Sequence, residues 1–298
     1  MKFLITGANG QLGQELQKLL TERALDFVAL SSQALDITDR TAVFATFETV
    51  QPDVVFHAAA YTKVDLAEDE GRDINWQVNA NGTKNVADAA KLVQAKLVAV
   101  STDYVFDGKS LTDYRETDPV NPQNAYGRAK LAGELGVIES GADAYIVRTS
   151  WVFGEFGNNF VYTMQRLAQT HPKLSVVNDQ LGRPTWTRTL AEFMLHLITV
   201  NAKFGTYHLS NDDTATWFDF AREILKTTDV EVTPVTSAEF PQKAYRPKHS
   251  VMSLDKAKAT GFDILNWRQA LAQFLASIQD KDWIDVWEGR PSWEDFLD

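Results

Sequence analysis

The chain contains no cysteine. Disulfides, thiolate metal sites and cysteine nucleophiles are therefore excluded. It also lacks any long apolar run. The first ten residues, "MKFLITGANG", break at Gly7, too early for the apolar region of a secretory signal. No later segment has the apolar length to span a bilayer, so no membrane partner is expected. Basic residues are the scarcer charge: 29 Lys and Arg stand against 40 Asp and Glu, for a formal net charge of −11. Such a surface repels phosphate backbones and argues against nucleic acid as a partner. A local basic pocket can still take a phosphorylated small molecule. A soluble, cytoplasmic protein is expected. Internal repeats and low-complexity tracts are absent as well.

What the chain has is apolar residues in a regular order. Of its 298 residues, 44% are hydrophobic, ample for one large domain or a domain with a smaller appendage. Apolar runs at Lys2–Thr6, Phe27–Leu30, Val54–His57, "KLVAVS" and "AYIVRTS" read as strands buried on both faces. Between them lie helical patterns at Gln11–Glu22, Thr38–Val50, Asn79–Leu92 and Ala125–Ile138. Asp36 or Thr38 would cap the second helix. This alternation predicts an α/β fold, a doubly wound parallel sheet of Rossmann type, over residues 1–155. After Trp151 the pattern loosens. Helical patterns at Phe160–Gln169, Leu190–Val200, Trp217–Thr227 and Trp267–Ile278, with short strands near Leu174–Val177 and Thr206–Leu209, predict a smaller C-terminal α+β substrate lobe. That lobe would span 156–280, with some elements returning to the first domain. Residues 281–298 form an acidic, Trp-rich tail without a functional reading.

Four stretches carry chemistry. Gly7, Gly10 and Gly13 in "GANGQLG" join the first strand to the first helix. Glycines there permit a tight turn and close approach of backbone to a pyrophosphate, and the helix start supplies free N–H groups. An ordinary glycine-rich turn is the competing reading; its place at the head of an alternating α/β chain favours a dinucleotide. The second strand ends in Ser31 and Ser32, and the nearest acid is Asp36. A carboxylate at that strand end would favour NAD. Its absence leaves NADPH or NADH open with a lean to NADPH, and Asp36 reads equally as a cap or a cofactor contact. Small residues Ala58 to Ala60, followed by Tyr61 and Thr62, leave room for a flat ligand or for tight helix packing.

The fourth stretch decides the class. Tyr126 and Lys130 are four apart and share a helical face. An ammonium beside a phenol is expected to lower its pKa, and the phenol can protonate a carbonyl oxygen as hydride reaches the carbon. Thr102, at the end of the fourth strand, could bond the same oxygen.

Together these residues resemble the extended short-chain dehydrogenase/reductase superfamily, with G-x-x-G-x-x-G, a strand-end Ser/Thr and Y-x-x-x-K. "STDYVFDG", "YGRAKLAGE", "RTSWVFGEFGNNFV" and "VVNDQLGRPTWT" resemble the dTDP-4-dehydrorhamnose reductase family over Met1 to about Ile278. The resemblance implies Thr102, Tyr126 and Lys130 as the catalytic triad, and reduction of the C4 ketone of a nucleotide-sugar substrate. It implies Thr102, Asp103, Tyr126 and Trp151 at the sugar. Gly10, Gln11 and Leu12 would hold the pyrophosphate and Asp36 with Ile37 the adenine. Ala60, Tyr61 and Thr62 would line the nicotinamide, while Tyr126 and Lys130 would reach its ribose. Asn158, Asn159, Arg183 and Arg246 are its candidates for the substrate diphosphate. Two departures count. Arg188 stands where some relatives carry a Glu for a Mg²⁺-bridged dimer, so a monomer or metal-free homodimer is expected and Mg²⁺ is doubtful. The missing acid at the end of the second strand is the other departure. A related dehydratase would need a Glu base where Tyr104 follows Asp103. A C4 epimerase shares the triad, and a non-catalytic dinucleotide-binding subunit is the alternative of another class.

Overall fold

In the computed structural model the described residues are 1–278, so the Trp-rich segment 281–298 lies outside them. The first half alternates as expected: β1 (Lys2–Thr6), α1 (Gln11–Glu22), β2 (Asp26–Leu30), α2 (Arg40–Val50), β3 (Val54–His57), α3 (Arg72–Trp76), α4 (Thr83–Leu92), β4 (Lys96–Thr102), α5 (Ala125–Ser140) and β5 (Ala144–Thr149). Then follow β6 (Val152–Phe153), α6 (Phe160–Ala168), β7 (Lys173–Val177), β8 (Leu181–Gly182), β9 (Thr185–Trp186), α7 (Thr187–Thr199), β10 (Gly205–His208), β11 (Ala215–Thr216), α8 (Trp217–Ile224), β12 (Glu231–Val235), α9 (Asp255–Lys258) and α10 (Trp267–Ile278).

Six parallel strands form the central sheet in the order β10-β5-β4-β3-β1-β2. The order reverses at β1, which pairs with both β2 and β3. Connections leave in opposite directions from that point and open a crevice at the carboxyl ends of the strands. Side chains alternate across the sheet. Phe3, Ile5 and Phe56 pack under α1 and α7, against Leu16, Leu19, Phe193 and Leu197. Leu4 and Val55 face the other way, against Val43 and Phe47 of α2, Val86 of α4 and Val137 of α5. A separate core joins Phe153, Val161, Leu174, Phe220, Trp267 and Phe274. The second half of the chain is thus split: α7 and β10 return to the first sheet, while α6, α8 and α10 build their own core.

Three local readings change. α2 begins at Arg40, capped by Asp39, whose carboxylate accepts the Ala42 N–H at 3.0 Å. Neither Asp36 nor Thr38 caps it. One Asp36 oxygen instead accepts the Thr38 N–H at 2.9 Å and the Thr38 hydroxyl at 2.8 Å. The helix expected from Asn79 starts earlier, at Arg72, and widens into a π-helical turn over Gln77–Gly82. Such turns redirect side chains that a regular α-helix would place elsewhere. β12, which pairs parallel with β7, escaped the sequence pattern because it contains Pro234 and is nowhere fully buried.

Leu16 is fully buried between α1 and α7. Leu16→Ala is expected to cost about 2–5 kcal/mol. The check is a urea titration, in which the midpoint falls with little change in slope.

Candidate active site

The crevice is floored by the loop after β1. Gly7 has φ of 72°, and a Cβ there would lie 2.5 Å from the Ala59 nitrogen. A Cβ on Gly13 would overlap the Gly7 carbonyl oxygen, so β1, α1 and the Ala58–Thr62 loop are held at backbone contact. The Gly10 N–H donates to the Gly7 carbonyl at 3.0 Å, and the Ala8 N–H to the Leu30 carbonyl at 3.1 Å. α1 then starts with no side-chain cap and no acid in its first turn. The helix start at Gln11 and Leu12 therefore faces the crevice with amide donors unanswered by side chains, which is the donor set a diphosphate needs. Beyond β2, Asp36 is exposed, whereas Ile37 is buried and presses against Gly82. Ile37 thus anchors the loop from which Asp36 projects, and the Asn85 side chain fastens it by donating to the Ile37 carbonyl at 3.0 Å.

Across the crevice, Asn79 reads the backbone of Tyr61 in both directions. It accepts the Tyr61 N–H at 3.1 Å and donates to the Tyr61 carbonyl at 2.9 Å. Asn79 also donates to Asn75 at 2.8 Å, and Asn75 to the Ala125 carbonyl at 3.1 Å. Glu68 accepts the Ala125 N–H at 2.7 Å. The Ala58–Thr62 loop and the start of α5 are thereby tied through two buried asparagines. No spacing rule in the sequence pointed to them; the signal was only a run of asparagines beside a small-residue helix. His57 ends β3 between the hydroxyls of Thr6 (2.7 Å) and Thr83 (3.1 Å). Burial, with Lys130 nearby, pushes its pKa down to about 3, so it is a neutral strut.

Thr102 closes β4 and is buried. Tyr126 stands in the first turn of α5, whose Asn124 cap accepts the Gly127 N–H at 2.7 Å. Gly127 permits the contact, since a Cβ there would overlap the Tyr104 carbonyl. One turn on, Lys130 is buried and donates to the Val100 carbonyl at 2.7 Å. The structure brings Thr102, Asp103, Tyr126 and Lys130 to one place, with the Tyr126 phenol hydrogen-bonded to Thr102. Thr102 itself donates to one Asp103 oxygen at 3.0 Å, and the other, Oδ2, is buried without a partner.

The electrostatics differ from the sequence expectation. Tyr126 retains some solvent exposure, yet enough protein surrounds it that charging the phenol is penalised. Burial, then Asp103 and Tyr104, raise its pKa, and only the Thr102 hydrogen bond lowers it. The Lys130 ammonium, turned to the Val100 carbonyl, is not what sets the phenol. Lys130 is itself pushed down to about 8 by burial, opposed by Glu134. Burial lifts the Asp103 carboxyl to about 6, opposed by the neighbouring Ser250 and Thr102 hydroxyls. The phenol is therefore held protonated, as a proton donor requires.

Outer residues divide. Tyr104 lies edge-on to Tyr126, ring centroids 6.1 Å apart. Arg246 sits over the Tyr104 ring at 5.7 Å, held by Asp65 at 2.5 Å, with its Nη1 unpartnered. Arg183 points elsewhere, to the Met252 carbonyl at 2.5 Å and Asp113 at 3.2 Å. Trp151, at a positive φ of 47°, stacks on Trp217 with centroids 3.8 Å apart. Gly182 lies against the same indole, so Trp217 and Gly182 fix the ring's plane. Asn159 caps α6 and reaches the glycine loop, donating to the Gln11 side chain at 3.3 Å; Asn158 beside it is half-buried. Arg188 lies among Glu22 (2.6 Å), Glu192 (2.8 Å) and Glu15 (3.6 Å). Among the described residues no group of His, Asp or Glu is placed to hold a metal.

A doubly wound sheet with a glycine loop at its switch point and Thr, Tyr and Lys at the end of β4 defines an extended short-chain dehydrogenase/reductase. Within that class, the chain belongs to the family described as RmlD substrate binding domain, which it matches over residues 1–280. It is 40% identical to a Bacillus subtilis spore coat polysaccharide biosynthesis protein, covering 92% of this chain and 96% of that one. A crystal structure of a dTDP-4-dehydrorhamnose reductase from Clostridium acetobutylicum superposes with a TM-score of 0.90 at 45% identity, over 94% of this chain and 100% of that one. The Bacillus anthracis dTDP-4-dehydrorhamnose reductase, solved in complex with NADP, gives 0.89 at 42% identity, over 93% and 99%.

Lys130 is expected to titrate near pH 8 and to be an ammonium below it. NMR titration of lysines labelled at Cε, assigned with Lys130→Met, checks this; an apparent value near 10 would refute it.

Proposed function

We propose that this chain reduces the C4 ketone of dTDP-4-dehydro-β-L-rhamnose with NADPH, giving dTDP-L-rhamnose, the last step of dTDP-rhamnose synthesis. The observation that carries this is the convergence of Thr102, a protonated Tyr126 and Lys130 at the strand end beside an uncapped helix start, in a chain with solved relatives at 42% and 45% identity described as reductases of that name. NADPH is favoured because the B. anthracis relative is described with NADP. The strand end at Ser31 and Ser32 also places no carboxylate against a 2′-phosphate.

A reduced dinucleotide, when bound, would supply the hydride. Gly7, Gly10, Gln11, Leu12 and Gly13 would hold its diphosphate, Asp36 and Ile37 its adenosine end, and Ala58, Ala60, Tyr61 and Thr62 its nicotinamide end. Tyr126 donates its proton to the C4 oxygen, and its raised pKa keeps that proton loaded. Thr102 turns its hydroxyl to the same oxygen. Lys130, anchored on Val100, offsets the phenolate left behind. The free Asp103 oxygen accepts a sugar hydroxyl, and Trp151 flanks the ring. Arg246 is the best-placed cation for the substrate diphosphate, since its Nη1 lacks a partner and it adjoins Tyr104. Asn158 and Asn159 complete the proposed substrate set, while Arg183, turned to Met252 and Asp113, stands outside it; residues 1–155 thus serve chiefly the cofactor and 156–280 chiefly the sugar nucleotide. Dehydration is disfavoured: Tyr104 replaces the needed base, and burial pushes its phenol up to about 12.

The test is loss of NADPH absorbance on adding the keto-sugar nucleotide. Consumption with formation of dTDP-L-rhamnose is expected. Turnover without net redox would indicate an epimerase, and no turnover a non-catalytic subunit. Tyr126→Phe should lower kcat by at least about 100-fold while dinucleotide affinity changes little.

We place the protein in the cytoplasm, where sugar nucleotides and reduced dinucleotides are pooled, as a monomer or metal-free homodimer. Arg188 supports the latter, because its guanidinium already neutralises the carboxylates around it. EDTA is expected to leave both activity and mass by light scattering unchanged; loss of a dimer on chelation would refute the metal-free assignment.

A further inference from the structure

One ion pair lies behind the catalytic residues and is absent from the mechanism above. Glu134 and Arg148 are both buried, with side chains 4% and 6% exposed. Arg148 Nε donates to Glu134 at 2.9 Å and Nη2 at 2.7 Å, a two-pronged contact. The Ser101 hydroxyl donates to the same carboxylate at 2.5 Å. Ser101 and Arg148 are register partners on β4 and β5, and Thr102 pairs with Thr149 one step further on. Glu134 stands one helical turn beyond Lys130 on α5, and Lys130 donates to Val100, the residue before Ser101. Successive residues of β4 are therefore clamped to successive turns of α5, immediately below Thr102 and Tyr126.

We infer that the buried Glu134–Arg148 pair, with Ser101, is a positioning unit for the reduction: it fixes α5 against the end of β4, setting Tyr126 relative to Thr102, and places a carboxylate one helical turn from Lys130. This rests on reading Thr102, Tyr126 and Lys130 as the reductase centre. A buried ion pair is weak evidence of a stabilising role, because desolvation offsets its attraction. The arrangement has a clearer use in geometry and charge. One charged group acts on Lys130 through space. Glu134, on its own helix, raises its pKa against burial. His57, from β3, is neutral at working pH and adds no charge. Asp103, beyond β4, acts on Tyr126. Arg148, from β5, is spent on Glu134. Without the Glu134 charge Lys130 would lose its proton at lower pH, so the alkaline limb of the rate profile would move down, not up.

The experiment measures kcat and KM for NADPH-dependent reduction from pH 6 to 9.5, with Tm, in the wild type, Glu134→Gln and the double variant Glu134→Leu/Arg148→Met. Glu134→Gln is expected to lower kcat at pH 8 by about tenfold, with KM for the sugar nucleotide within about threefold and the alkaline limb shifted to lower pH. It strands the Arg148 charge, so Tm should fall. The double variant removes both charges and should recover Tm, but not kcat or the limb. A wild-type profile in Glu134→Gln, or recovery of kcat together with Tm in the double variant, would overturn the inference and leave the pair a packing device. Should the double variant not fold, the Glu134→Gln profile alone decides. Failure of the underlying reading looks different: the wild type itself would not turn over, or Tyr126→Phe would keep its full rate.

Discussion

A parallel sheet covered by helices on both faces has nowhere to put polar groups except the ends of its strands. β5 is buried along its whole length, and β3 likewise. Its interior positions are consequently apolar or internally paired, as with Arg148 and Glu134. Chemistry must gather where strands stop. Thr6, His57, Thr102 and Thr149 are the last residues of β1, β3, β4 and β5. The reversal of strand order at β1 then opens the crevice at that end, and the glycine loop, the Ala58–Thr62 loop and the start of α5 meet around it. Each close approach there depends on a missing side chain, at Gly7, Gly13 and Gly127.

Burial also governs the ionisation of the site. For Tyr126, Lys130 and Asp103 alike, loss of water is the largest influence, and it moves each toward its neutral form. For a reductase these shifts are coherent. The phenol must carry a proton to deliver one, and Asp103 keeps one buried oxygen without a partner. Lys130 is the exception that needs support, since its charge is wanted and burial opposes it. Glu134 is the nearby group that acts in its favour.

Around this centre the second half of the chain supplies aromatic and cationic walls rather than acids or bases. Trp151 and Trp217 stack, and Arg246 lies on Tyr104 with Asp65 as its counterion. The resemblance grouped Arg183 with Arg246, but Arg183 is committed to the Met252 carbonyl and Asp113. Both arginines sit in loops, where spacing does not report direction.

Much of the fold was legible before any coordinates. Buried strands leave continuous apolar runs, and α1 leaves Leu12, Leu16, Leu19 and Leu20 on one face, because local periodicity records burial. The glycine loop and the four-residue spacing of Tyr126 and Lys130 were legible for the same reason: each is a constraint along a short piece of chain. The direction of the Tyr126 shift was not, since it is set by lost solvent, then by Asp103 and Tyr104, with Lys130 turned to Val100 on another element. Nor were the Asn79–Tyr61 bridge, the π-helical turn or the clamp of Ser101, Glu134 and Arg148. By itself the sequence determined which elements form and which side chains share a face, because those depend on neighbours within a few residues. Only the tertiary structure decided which groups are desolvated and which charge answers which, because partners such as Arg148 and Glu134, 14 residues apart, meet only when strand and helix pack.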